Sequence, residues 1–130
     1  MALKGRPAAV HASRVLVVED EFFVALELEL LIHKQAPSVQ VVICSSVSDA
    51  RAAMAEPVGL ALLDIDVLDG KTYEVAARLA EQGTPIVFIS GSRPEEIPPT
   101  LRDVHFIPKP YHGPQIIEAI APLLASGAHS

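Results

Sequence analysis

The chain has 130 residues, half of them apolar and a fifth charged, with a formal net charge of −6. That length fits one domain around a single core, the acidic balance excludes a basic nucleic-acid face, and no apolar run approaches the ~18 residues of a membrane span. The single cysteine, Cys44, excludes an intramolecular disulfide, which agrees with a reducing, cytoplasmic setting.

Residues 1–13, with Gly5 and Pro7, read as a loose, flexible start, neither apolar enough nor arranged as a secretory signal. Residues 14–18 (Arg-Val-Leu-Val-Val) are β-branched and unbroken and stop at Glu19-Asp20, which predicts a buried strand ending in acid. A helix is expected over 21–33, with Asp20 and Glu21 at its positive end. Its apolar residues run nearly all the way round, so the helix is either unusually buried or meets a partner. Pro37-Ser38 breaks it, residues 40–44 give a second strand, and Ser48 is the expected N-cap of a helix over 49–56.

Residues 58–63 form the third strand, and the stretch Leu60-Ala61-Leu62-Leu63 delivers Asp64 to the rim of the sheet. Leu68-Asp69-Gly70 is expected to turn the chain into a helix over 72–82, ended by Gly83. Residues 86–89 are the fourth strand, closing on Ser90-Gly91-Ser92. Pro94, Pro98 and Pro99 allow only a short or distorted helix over 93–100. Residues 104–107 are the fifth strand, Pro108-Lys109-Pro110 a stiff turn, 114–124 a last helix, and 125–130 a frayed tail. The five histidines show no ligand spacing, and Asp69 and Tyr73 read as loop and helix-face residues.

Five apolar strands alternating with helices predict an α/β domain over 14–124: a doubly wound parallel sheet, helices on both faces, right-handed crossovers. Function in such sheets collects at the carboxyl ends of the strands, which here carry Glu19, Asp20, Asp64, Ser90 and Lys109. Carboxylates meeting at one rim repel unless a cation sits among them, and Mg²⁺, a hard ion with oxygen ligands, suits such a set. An aspartate beside it is able to act as nucleophile toward a phosphoryl group. Lys109 offers positive charge and Ser90 a hydroxyl donor for the transferring oxygens.

These motifs, in this order and on these element ends, resemble the receiver domain of two-component response regulators over residues 14–124. The resemblance implies a flavodoxin-like fold with strand order 2-1-3-4-5 and Asp64 as phosphoacceptor. It also implies Mg²⁺ held by Glu19, Asp20, Asp64 and the backbone carbonyl of Asp66, with Lys109 and Ser90 on the phosphoryl group. Phe106 falls at the family's switch aromatic, and the bond between Lys109 and Pro110 is expected to be cis. Phe88-Ile89-Ser90-Gly91 looks like the Phe-Ala-Thr-Gly form of a group of alphaproteobacterial single-domain regulators. The short loop after Asp64, the acid at Asp66 and Gly91 after the hydroxyl residue depart from the family pattern.

The resemblance implies a stand-alone receiver that accepts phosphate from a histidine kinase or histidine phosphotransfer protein and signals through a further protein, with a homodimer also open. Two other readings compete. Asp64-Ile65-Asp66 resembles the Asp-x-Asp pair of haloacid-dehalogenase-type phosphatases, although no acidic motif follows on the fifth strand. The other alternative is a receiver-like interaction module that binds without phosphorylation.

Overall fold

The computed structural model describes residues 14–129, and side chains as far as Ala125; the expected loose start at 1–13 lies outside the described residues. Five strands form one parallel sheet: β1 (Arg14–Val18), β2 (Gln40–Cys44), β3 (Leu60–Leu63), β6 (Ile86–Ser90) and β7 (His105–Pro108). Between β3 and β6 lies a small antiparallel hairpin, β4 (Asp66–Val67) and β5 (Gly70–Lys71). The helices are α1 (Phe22–Gln35), α2 (Val47–Ala53), α3 (Tyr73–Glu81) and α4 (Gly113–His129). The large sheet runs β2-β1-β3-β6-β7. Counted within that sheet alone, this is the expected order 2-1-3-4-5.

Strand periodicity divides the core in two. Leu16, Val18, Ala61, Leu63, Ile86 and Phe88 face one side, where Val47 and Ala50 of α2 and Val75, Ala76 and Leu79 of α3 cover them. Val15, Val17, Leu60, Leu62, Val87 and Ile89 face the other, covered by Leu28 and Ile32 of α1 and Ile116, Ile120 and Leu124 of α4. Each fully buried aliphatic side chain contributes about 1.5–3 kcal/mol, so the central strands anchor the rim. Because both faces are covered, β3 and β6 read as continuous apolar runs.

Several boundaries differ from the expectation, each for a local reason. Helix α2 starts at Val47, because Ser46 rather than Ser48 is extended and accepts the Asp49 N–H at 3.0 Å. Leu68-Asp69 forms the loop of the hairpin, and Gly70 adopts φ +141°, a conformation L side chains rarely reach. Gly83, at φ +81°, follows the end of α3 as expected.

Prolines reduce the expected distorted helix to two short 3₁₀ turns, Pro94–Glu96 and Pro99–Leu101. Strand β7 includes Pro108, tolerated because β7 is an edge strand. Helix α4 continues to His129, beyond the expected end at Leu124, and takes Pro122 into its interior. The Lys109-Pro110 bond is cis, as the resemblance implied. No helix among the described residues is long and apolar enough to cross a membrane.

Candidate functional site

Register brings the strand-end residues together. Val18 pairs with Leu63 across β1 and β3, so the next residues, Glu19 and Asp64, emerge side by side; the Asp64 N–H donates to the Val18 carbonyl at 2.8 Å. Ser90 pairs with Pro108 across β6 and β7, and the Lys109 N–H donates to the Ser90 carbonyl at 3.0 Å. Thr72 fixes the acidic strand end from below: fully buried, it donates its hydroxyl to the Asp64 carbonyl at 2.7 Å. It had read only as the start of a helix, since nothing in the sequence sets a buried threonine apart from a capping one.

Glu19, Asp20 and Asp64 each place a carboxylate oxygen within 4.8 Å of the others. Glu19 and Asp64 are buried, whereas Asp20 is exposed. The Lys109 ammonium stands among them, 2.8 Å from Glu19 Oε1, 3.1 Å from Asp64 Oδ2 and 3.4 Å from Glu21 Oε1. Burial works against that ammonium, but Glu19 and Asp64 outweigh it and hold its pKa above the ordinary lysine value.

The carboxyl of Glu19 is pushed up, chiefly by burial and further by the charge of Asp64, against the opposing pull of Lys109 and the Glu21 N–H. Despite its closeness to Lys109, Glu19 Oε1 lies off the hydrogen-bonding direction and has no directed donor. The pair is therefore a charge contact.

Three carboxylates against one ammonium leave about two negative charges at the rim if all are ionised. Together with the undonated buried oxygen of Glu19, this is a donor set that fits a hard divalent cation such as Mg²⁺. The Asp66 carboxylate is outside the cluster. It accepts from Lys71 and, at 2.6 Å, from the Ser92 hydroxyl. Ser90 is buried, and its oxygen accepts the Ser92 N–H at 3.2 Å. Phe106 is half-buried against the core beside Phe88.

Beside the carboxylates, Phe22, Leu26 and Ile43 help line an apolar cavity of about 350 Å³. A larger one, about 670 Å³, lies at the amino ends of β6 and β7 and includes none of the site residues. Residues the sequence did not single out also brace the site. Tyr111, two positions after Lys109, donates to Glu27 of α1 at 2.8 Å and so ties the lysine loop to that helix.

No family model matches the chain, and no curated protein sequence matches it. Solved structures do. The receiver domain protein (CheY-like) from Methanospirillum hungatei JF-1 superposes with a TM-score of 0.76 at 20% identity, over 90% of this chain and 97% of that one. The chain has the receiver-domain fold of response regulators. SdrG from Sphingomonas melonis Fr1 is similar at 28% identity and TM-score 0.70, over 86% of this chain and 96% of its own. TrrA from Thermotoga maritima, a response regulator solved in complex with Mg²⁺-BeF, has a TM-score of 0.72 at 16% identity, over 85% and 98% of the two chains. In this receiver fold Glu19, Asp20, Asp64, Ser90 and Lys109 share the carboxyl rim of the sheet, where the sequence had expected them.

Proposed function

We propose that this chain is a response regulator receiver domain, phosphorylated on Asp64 by a histidine kinase or histidine phosphotransfer protein. The observation that carries this reading is the buried contact of Asp64 with Lys109 inside the Glu19-Asp20-Asp64 cluster. A carboxylate oxygen of Asp64 attacks phosphorus; the phosphorus–nitrogen bond of a phosphohistidine breaks, its electron pair and a proton go to the imidazole, and an acyl phosphate remains on Asp64.

Glu19, Asp20 and Asp64, with the backbone carbonyl of Asp66, would hold Mg²⁺. When bound, the ion supplies positive charge that offsets the transferring oxygens. Lys109 presents its ammonium to the same group, and Thr72 fixes the backbone from which Asp64 projects. Phosphorylation then draws the Ser90 hydroxyl toward the new oxygens and Phe106 inward, a two-state rearrangement read by a partner protein.

The TrrA complex supports the metal assignment by analogy of fold, and Phe88-Ile89-Ser90-Gly91 supports placement near the Phe-Ala-Thr-Gly regulators. A phosphatase of the Asp-x-Asp type would need Asp66 as a free acid beside Asp64, whereas its carboxylate is engaged by Lys71 and Ser92.

Incubation with Mg²⁺ and acetyl phosphate, followed by intact mass, tests the reading. Wild type is expected to gain one phosphoryl group, with acetate leaving, and Asp64→Ala none; chelation should abolish the gain. An equal adduct on Asp64→Ala, or none on wild type, would overturn it.

A further inference from the structure

The hairpin between Asp64 and α3 is tied down at both of its flanks. On one side Asp69 accepts the N–H groups of Val47 and Ser48, at 2.6 and 3.1 Å, and so caps α2 on the far side of the rim. At its base the Thr72 N–H donates to the Ile65 carbonyl at 2.9 Å. On the other side Asp66 uses both carboxylate oxygens: Oδ1 receives Lys71, its partner across the hairpin, and Oδ2 receives the Ser92 hydroxyl. Ser92 in turn donates its N–H to Ser90 Oγ. A fixed post is thus bonded to the loop that carries the switch hydroxyl, and Ser90 is occupied by the same residue that the post holds.

We propose that the Asp66–Ser92 hydrogen bond is a latch that holds the Ser90-Gly91-Ser92 loop in its unphosphorylated position and sets how readily Ser90 is released toward a phosphoryl group on Asp64. This rests on the receiver reading above. For Ser90 to turn to the phosphoryl oxygens it must leave the Ser92 N–H, and movement of the loop must stretch the Ser92–Asp66 bond. Because Asp69 and Lys71 fix the hairpin, the post does not follow the loop. The latched state is therefore stabilised selectively, and weakening the latch shifts the population toward the released state. Asp66, an acid on the short loop after Asp64, acts through Ser90 as a positioning residue.

The test uses Ser92→Ala, Asp66→Asn and Ser92→Thr. Ser92→Ala removes the bond without changing charge and takes only one hydroxyl from a half-buried loop position outside the core. In the unphosphorylated protein, Ser92→Ala is expected to accelerate amide exchange at positions 91–93 about tenfold, with Ser92→Thr restoring the wild-type rate. In the presence of Mg²⁺ and acetyl phosphate, Ser92→Ala and Asp66→Asn are expected to load Asp64 about three- to tenfold faster than wild type, with Ser92→Thr again at the wild-type rate.

Unchanged exchange in Ser92→Ala would overturn the latch whether or not the protein takes a phosphoryl group. Faster loading in Asp66→Asn alone would also overturn it, since removal of charge would then be the whole effect. Absence of any adduct on wild type would instead overturn the receiver reading, while the exchange measurement would still decide whether the latch exists.

Discussion

Lys109 is the one cation among the described residues that reaches Asp64, and it faces Glu19, Asp64 and Glu21 at once. Removing it leaves two buried carboxylates unpaired. In the absence of divalent cations, Lys109→Met is expected to lose about 3 kcal/mol in urea unfolding, near the low end for breaking a buried ion pair because the lysine is partly exposed. The pH dependence follows from the sign of its shift. A lysine whose folded pKa is raised contributes fully below its unfolded value, about 10.4, and loses that contribution as pH rises through the higher folded one. The difference between wild type and variant is therefore expected to be flat from about pH 7 to 9 and to shrink only above the unfolded lysine value, which unfolding curves at stepped pH would check. Glu19 has a slope of the same sign at lower pH: with its carboxyl raised, its contribution falls as pH rises above the usual carboxylate range. At this scale the sequence showed the acids, Ser90 and Lys109, because strand ends carry them. Thr72, Ser92 and Tyr111 were hidden, since their roles are hydrogen bonds between segments distant in sequence.

Helix α1 carries its apolar residues on two unlike faces. Ala25, Leu28 and Ile32 are buried against the sheet, while Phe22 and Phe23 remain 71% and 80% exposed and Leu30 60%. Of the two expectations for this helix, deep burial is therefore ruled out for half of it. Polar replacement of Phe22 and Phe23 is expected to change stability by no more than about 0.5 kcal/mol, the range for surface substitutions. Leu28→Ala is expected to cost about 2–5 kcal/mol as a core cavity, and thermal or urea unfolding of the variants separates the two faces. Uniform apolar composition conceals this division, because only the packing of α1 against β1 and α4 selects the inner face. The start of α2 was misplaced for a related reason. Ser45, Ser46 and Ser48 are all plausible caps, and the choice is made by the extended backbone of Ser46 and by Asp69, which arrives from 21 residues away to hold the Ser48 N–H.

Across the whole molecule, the alternation of apolar runs with helices made the five-stranded sheet and its carboxyl rim legible, since parallel strands buried on both faces need unbroken apolar sequence. The hairpin over 66–71 was not legible: its strands are two residues each and lack any period of their own. Yet the hairpin spans the rim, bonded to α2 on one side and to the Ser90 loop on the other. Sheet, hairpin and Lys109 together make Asp64 the buried, cation-facing carboxylate on which a phosphoryl group is expected. The most direct measurement is to treat the protein with Mg²⁺ and acetyl phosphate, reduce it with borohydride, which converts an aspartyl phosphate to homoserine, and map the site by peptide mass spectrometry. Homoserine at position 64 and nowhere else is the expected result. Homoserine at another aspartate, or phosphate retained on a serine with Asp64 unmodified, would contradict Asp64 as the phosphoacceptor.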